Sequence, residues 1–254
     1  MTTTAPRHGF GIDVGGSAVK GALVDLTTGE FIGERIKIAT PRPATPEAIA
    51  HVIVELLQRA EWIGPVGITL PSVVHNSIAQ SAANIDPEWI GVNTTELFRR
   101  FLGDRDFTVL NDADAAGLAE VAYGDPRARE GAVLFLTFGT GIGSAMLVDG
   151  RLFPNTELGH MIVGKQEAEH QASSAVKDNL ELNFKQWASR VNVVMGEYEK
   201  LFNPTTFIVG GGISRKFDKW GPSLDLKTPV FPAQLRNRAG IVGAALAMDQ
   251  GMRP

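Results

Sequence analysis

The 254-residue sequence contains no cysteine, which removes disulfides and thiolate metal sites from the available sources of stability and chemistry. It has no apolar run approaching the ~18–20 residues of a membrane span, and residues 1–9 lack the apolar segment of a secretory signal. No membrane partner is expected, and a cytoplasmic address fits best. The phosphate-loop pattern G-x-x-x-x-G-K-[ST] is absent, as is a dinucleotide fingerprint in its strand–turn–helix setting. Strong charge is missing too: the formal net charge is −4, which argues against a general nucleic-acid binder. The balance is uneven, however. Residues 1–150 carry 11 basic against 18 acidic side chains, while residues 151–254 carry 13 against 10, so the back half is the better host for a polyanion. With 44% hydrophobic and 20% charged residues the chain is an ordinary globular protein. Its length suits one large core or two of ordinary size; two lobes around a cleft are expected.

What the chain does have is three glycine-rich turns, each after a short apolar run: Asp13-Val14-Gly15-Gly16-Ser17, Thr137-Phe138-Gly139-Thr140-Gly141-Ile142-Gly143 and Gly210-Gly211-Gly212-Ile213-Ser214. Successive residues without Cβ let backbone N–H groups converge on an anion, as a phosphate chain requires. Around the first turn, strands are predicted at 10–14, 19–25 and 31–39. Ile49, Val52, Ile53, Leu56 and Leu57 then mark an amphipathic helix, with Thr45 as N-cap and Pro46 at its first position. Residues 66–70 return as a strand, giving the order βββαβ. The order restarts at Gly131, with strands at 132–137, 144–148 and 151–153. A helix follows, its stripe running through Trp187, Val191, Val194, Met195, Tyr198, Leu201 and Phe202, and a returning strand spans 206–209. A unit that occurs twice predicts two related α/β lobes, 1–110 and 111–238, with the phosphate donor between them. The alanine-rich helix 239–248 can close either lobe.

Phosphoryl transfer to an alcohol needs a base at the hydroxyl and donors along the phosphates, usually with Mg²⁺. Asp112 follows the apolar run 107–111, which puts it at the C-terminal end of a strand, where open α/β sheets place their ligands. It is the candidate catalytic base, and Asn111 beside it offers a donor and an acceptor to hydroxyls. The same Asn-Asp pair equally fits a helix N-cap. Glu157 and His160, three apart, face the same way on one helical turn and suit either a sugar ring or a metal, though no other ligand spacing accompanies them. Asp13 is the candidate Mg²⁺-associated carboxylate, acting through water. The donor-phosphate candidates are Asp13, Gly15, Gly16, Ser17 and Lys20 at the first turn, Thr137, Gly139, Thr140 and Gly141 at the second, and Gly211, Gly212, Arg215 and Lys216 at the third. Lys219, three residues beyond Lys216, extends the basic stretch toward a longer polyanion, unless all three cations are simply solvated surface.

The three turns, with Leu110-Asn111-Asp112-Ala113-Asp114-Ala115-Ala116 and Glu157-Leu158-Gly159-His160, give nearly the whole chain a resemblance to the ROK family of sugar kinases and, within it, to the polyphosphate glucokinase subgroup. The resemblance implies two actin-like, ribonuclease-H-like lobes. It further implies Asp112 as general base, Asn84, Asn111, Glu157 and His160 as sugar contacts, and the 6-hydroxyl of glucose, with mannose a second acceptor, as the phosphorylated group. Polyphosphate or ATP would be the donor, with Mg²⁺, in a homodimer. Three departures matter. Most such kinases carry a cysteine cluster holding structural zinc after the Glu-x-Gly-His element, and Gly164 to Ser174 has none, so no structural zinc is expected there. The sugar-binding glutamate of that cluster corresponds to Glu169, with Glu167 close enough to compete. Pro71-Ser72 stands where Pro-Gly is usual, and only nine residues precede Phe10, too few for the DNA-binding segment of the family's repressors.

Overall fold

The computed structural model describes residues 7–253, an α/β protein with two five-stranded sheets that fall in two compact units. The first unit runs to Ala119 and takes back the chain from Arg238; the second is Glu120–Asn237. In the first, β1 (His8–Val14), β2 (Ala18–Asp25) and β3 (Glu30–Ala39) form an antiparallel meander. β4 (Val66–Leu70) and β7 (Phe107–Asn111) extend it in parallel, giving the order β3-β2-β1-β4-β7. Between them, β5 (Val74–His75) and β6 (Ile78–Ala79) make a small hairpin in the loop after β4. Helix α1 (Pro46–Arg59) begins as its sequence predicts. The Thr45 hydroxyl accepts from Ala48 N at 3.3 Å, Pro46 opens the helix, and Ile49, Ile53, Leu56 and Leu57 are buried beneath it. Helices α2 (Thr94–Leu102) and α3 (Asp112–Tyr123) precede and follow β7. The division between units runs through α3, where the sequence expectation put a boundary before it.

The second unit repeats the plan. β8 (Ala132–Phe138), β9 (Ile142–Val148) and β10 (Arg151–Phe153) are antiparallel, and β13 (Thr206–Gly210) and β14 (Val230–Pro232) run parallel to β8 on its other side. The hairpin of β11 (Ile162–Val163) and β12 (Gln166–Glu167) leads into the short helices α4 (Ala168–Ala172) and α5 (Ser174–Asn179). Helix α6 (Phe184–Phe202) starts on a reciprocal cap between Asn183 and Gln186 and ends at Asn203 in a left-handed conformation before Pro204. Its stripe of Trp187, Val191, Val194, Met195 and Tyr198 is fully buried, but Leu201 is 62% exposed. That is a correction to the predicted stripe: Leu201 lies at its edge in the last turn, where the helix runs past the core. Each unit has its own apolar core.

Helix α7 (Ala239–Asp249) belongs to the first unit and lies on β1 and β4. Glycines set its distance. A Cβ on Gly11 would stand 1.8 Å from the Ile241 carbonyl oxygen, and one on Gly67 would stand 1.8 Å from that of Ala244. Backbone cannot yield as a side-chain tip can, so Gly67→Ala is expected to destabilise the protein by about 3 kcal/mol. Gly196→Ala, in α6 with nothing within 4 Å of the new methyl, should instead be neutral or stabilising by up to ~1 kcal/mol. Urea unfolding checks both; a Gly67→Ala protein as stable as the parent would contradict the close helix–sheet approach.

Candidate active site

In the first unit, β1, β4 and β7 are mutually parallel, so Asp13, Thr69 and Asn111 stand at the same C-terminal edge of the sheet. Asn111 is 6% exposed. Its side-chain oxygen accepts from the backbone N–H groups of Ala113 at 2.8 Å and Asp114 at 3.2 Å, and its amide nitrogen donates to the Ser72 carbonyl at 3.2 Å. The capping alternative thus holds for Asn111: both oxygen lone pairs serve the helix start, and one amide hydrogen is left for any other acceptor. Asp112 is the first residue of α3 and half-buried; one carboxylate oxygen accepts from Ala113 N at 2.9 Å. The orphan N–H groups at a helix start favour a negative charge there.

Asp13 sits directly opposite Lys20 across the β1–β2 pair. Lys20 Nζ donates to one of its oxygens at 3.2 Å, and the Thr69 hydroxyl donates to the other at 3.2 Å. The ammonium group that sequence reasoning offered to a phosphate thus gives one hydrogen bond to Asp13 and keeps two further donors. As a test of fit for Mg²⁺, each Asp13 oxygen retains a lone pair, and a small cation that keeps most of its waters suits a lone carboxylate held this way. The first glycine turn is pinned by donors to its carbonyls: Thr40 Oγ1 to Gly15 at 2.5 Å and Arg42 to Gly16 at 2.9 Å. That orientation turns carbonyls toward the protein. Asn84, with φ of 62°, lies against this turn, and a Cβ on Gly16 would come within 2.9 Å of it.

In the second unit, Glu157 precedes a single 3₁₀ turn, Leu158–His160. His160 Nε2 is 3.8 Å from Glu157, while its Nδ1 is hydrogen-bonded to Glu167 at 3.1 Å and lies 3.9 Å from Glu169. The competing glutamates are thus both at the same histidine, in different roles. Glu169 accepts from Ile142 N at 3.2 Å and fills the space beside Gly141, where an added Cβ would stand 2.3 Å from its carboxylate. Burial raises the Glu157 carboxyl above its usual range, with Glu169 adding to the rise and His160 opposing it. The hydrogen bond that the His160 ring donates to Glu167 raises the histidine's pKa, with the neighbouring carboxylates adding to the rise. Below them Tyr198 donates to the Leu158 carbonyl at 2.6 Å, and burial drives its hydroxyl well above the ordinary tyrosine range. Ligand atoms of His160, Glu167 and Glu169 lie within 4.8 Å of one another, so this is the group among the described residues that could hold a metal ion. With imidazole and carboxylate only, the set suits hydroxyl groups of a sugar equally well.

The second and third glycine turns meet. Gly211, at φ of 81°, passes so close to Phe138 that a Cβ would stand 2.3 Å from its carbonyl oxygen. Gly139 receives the start of α5, its carbonyl accepting from Ser174 Oγ at 3.0 Å and Ala175 N at 3.1 Å. Thr140, Gly211, Gly212, Arg215 and Lys216 are exposed; Thr137 is half-buried. Sequence reasoning missed Thr69, Thr40, Arg42 and Ser174, each far along the chain from the group it holds, with no local pattern to announce it.

Comparison with known proteins follows the same lines. A model of the ROK family matches residues 9–174. A polyphosphate glucokinase of Mycobacterium tuberculosis (strain CDC 1551 / Oshkosh) is 53% identical over 244 residues, covering 96% of this chain and 92% of that one. A polyphosphate glucokinase of Mycobacterium leprae is 49% identical, over 96% of this chain and 76% of its own. Among solved structures, an inorganic polyphosphate/ATP-glucomannokinase from Arthrobacter sp. strain KM superposes with a TM-score of 0.89 at 42% identity, covering 98% of this chain and all of that one.

The His160 cluster gives a signed pH dependence. Because the folded-state pKa of His160 lies above the ordinary ~6.5, its protonated form favours the folded protein. The contribution is complete below about pH 6.5 and is lost as the pH rises through the elevated value. In Glu167→Gln the principal cause is gone, so NMR titration of the ring should show the His160 midpoint moving down; an unchanged midpoint would contradict the assigned partner.

Proposed function

The chain belongs to the ROK family, and on that premise we propose that it is a glucokinase that draws phosphate from inorganic polyphosphate, with ATP as a second donor. Glucose is the acceptor and mannose a further one. The observation that carries the reading is the placement of Asp112 at the edge where three parallel strands end, on a helix start fixed by Asn111. The relatives that carry the name polyphosphate glucokinase support it over nearly the whole chain. A homodimer in the cytoplasm belongs to the same reading, and the exposed Val193 and Leu201 of α6 are available to such an assembly.

In this reading Asp112 accepts the proton of the sugar 6-hydroxyl as that oxygen bonds to the terminal phosphorus. The bond from that phosphorus to the next oxygen of the donor breaks, leaving hexose 6-phosphate and a donor one phosphate shorter. The Ala113 N–H holds one oxygen of the Asp112 carboxylate, and Asn84 and Asn111 serve as further hydroxyl partners in this reading. Asn111 can supply one donor only. Glu157, His160 and Glu169 bind sugar hydroxyls by matched donors and acceptors; leaving one such group unpaired costs about 1–3 kcal/mol, which is how a site selects its sugar. Exposed N–H groups of the glycine turns grip the donor's oxyanions, and Arg215 and Lys216 add charge. Mg²⁺, held through water at Asp13, would neutralise charge on the transferring phosphates.

Two measurements test this. Purified polyphosphate free of nucleotide should support glucose 6-phosphate formation; product with ATP alone would overturn the donor assignment. Asp112→Asn should bind glucose with little change while kcat falls about 10²–10⁴-fold. Retention of more than about a tenth of the parent rate would remove Asp112 from the role of base.

A further inference from the structure

Three lysines from two separate segments of the second unit converge on one aromatic ring. Lys177 Nζ lies 5.0 Å from the Phe184 ring centroid, and Lys216 Nζ and Lys219 Nζ each lie 5.9 Å from it. The ring is held from below. Asn183 caps α6 so that Phe184 is its first residue, and Phe184 packs against the core in which Phe138, Trp187, Phe217 and Trp220 stack edge to face. The lysines are held from either side by the two glycine turns of this unit. Lys177 rides on α5, whose start is bonded to Gly139, and Lys216 and Lys219 ride on the 3₁₀ segment Gly212–Lys219 that leaves the third turn.

A ring face attracts an ammonium group and shelters its alkyl stem, which accounts for any one of these lysines. It does not account for three, because ammonium groups gathered about one point repel one another over separations of the order of a Debye length, about 10 Å at 0.1 M salt. A carboxylate relieves that repulsion at one of the three only. Lys177 has Asp178 at 3.2 Å, and among the described residues Lys216 and Lys219 make no ion pair. A fold that assembles such a cluster beside two glycine turns with Thr140, Gly211 and Gly212 exposed is built to receive anion from outside.

We propose that the Lys177, Lys216 and Lys219 cluster around Phe184 binds the distal stretch of a linear inorganic polyphosphate, the phosphates beyond those gripped by the glycine turns. This deepens the polyphosphate-donor reading above and rests on it. The residue type suits the ligand. Lysine presents a compact charge on a flexible stem and makes no demand on orientation, whereas the planar arginine fork fixes one geometry. A repeating anion with no unique register, shortened by one unit at each turnover, is best held by point charges that accept any phosphate of the chain. Lys177 and Phe184 enter the site only through the fold, each lying more than twenty-five residues from either turn in sequence.

The test compares binding of long-chain polyphosphate and of tripolyphosphate to the intact protein, parent against the double variant Lys177→Gln/Lys219→Gln, across a range of salt. The variant is expected to weaken long-chain binding about tenfold and tripolyphosphate binding less than about threefold. Its log Kd should also depend less steeply on log salt, since fewer counterions are released. Long-chain affinity within twofold of the parent, an equal loss for both ligands, or a parent protein that binds no polyphosphate would each overturn the proposal. Turnover with ATP but none with polyphosphate would defeat the donor reading instead, while a chain-length-dependent loss of binding in the variant would still uphold the cluster.

Discussion

The placement of Asp112 depends on how the Asn111 side chain is used. Its oxygen closes the first turn of α3 and its nitrogen reaches the Ser72 carbonyl, so one amide ties a strand end, a helix start and the loop after β4 together. Asp112, next in sequence, inherits its position from those bonds. A buried amide satisfied on both sides is costly to disturb, because each orphaned partner loses about 1–3 kcal/mol. The carboxylate with the greatest proposed catalytic role therefore stands on a backbone fixed by these bonds.

A second constraint is proximity. The glycines of the turns serve close approach as much as conformational freedom: Gly141 leaves room for the Glu169 carboxylate, Gly211 for the Phe138 carbonyl, and Gly16 for the Asn84 backbone. In the second unit this locks the two turns together and joins the Glu157–His160–Glu167–Glu169 group to one of them through Ile142 N. The same packing places α5 and the segment after Gly212 on either side of Phe184. The lysines, the histidine–glutamate group and the glycine turns are thus organised by the same few contacts.

Much of the fold was legible in the sequence because periodicity and turn chemistry are local. Thr45-Pro46, the Asn203-Pro204 stop and the alternation around Asp13 each announce an element within a few residues. β14 was not legible, since three residues ending in a proline give no pattern, and nothing in 239–248 said which sheet that helix would cover. The candidate site shows the same division. Motif residues such as Asp112, Glu157 and Gly139 stand out by type and spacing, but their partners do not. Lys20 pairs with Asp13, and Asn111 bonds the α3 start. Glu167 and Glu169 share one histidine, and Lys177 meets Lys216 only through Phe184. Such pairings are properties of packing between distant segments, and one sequence contains no signal for them.

The central claim is that the Asp112 carboxylate receives a proton from a hexose hydroxyl. A crystal structure with glucose bound tests it most directly. The account predicts the glucose 6-oxygen within hydrogen-bond reach, about 2.6–3.2 Å, of an Asp112 carboxylate oxygen. Glucose seated elsewhere, or bound with another hydroxyl toward Asp112, would contradict it.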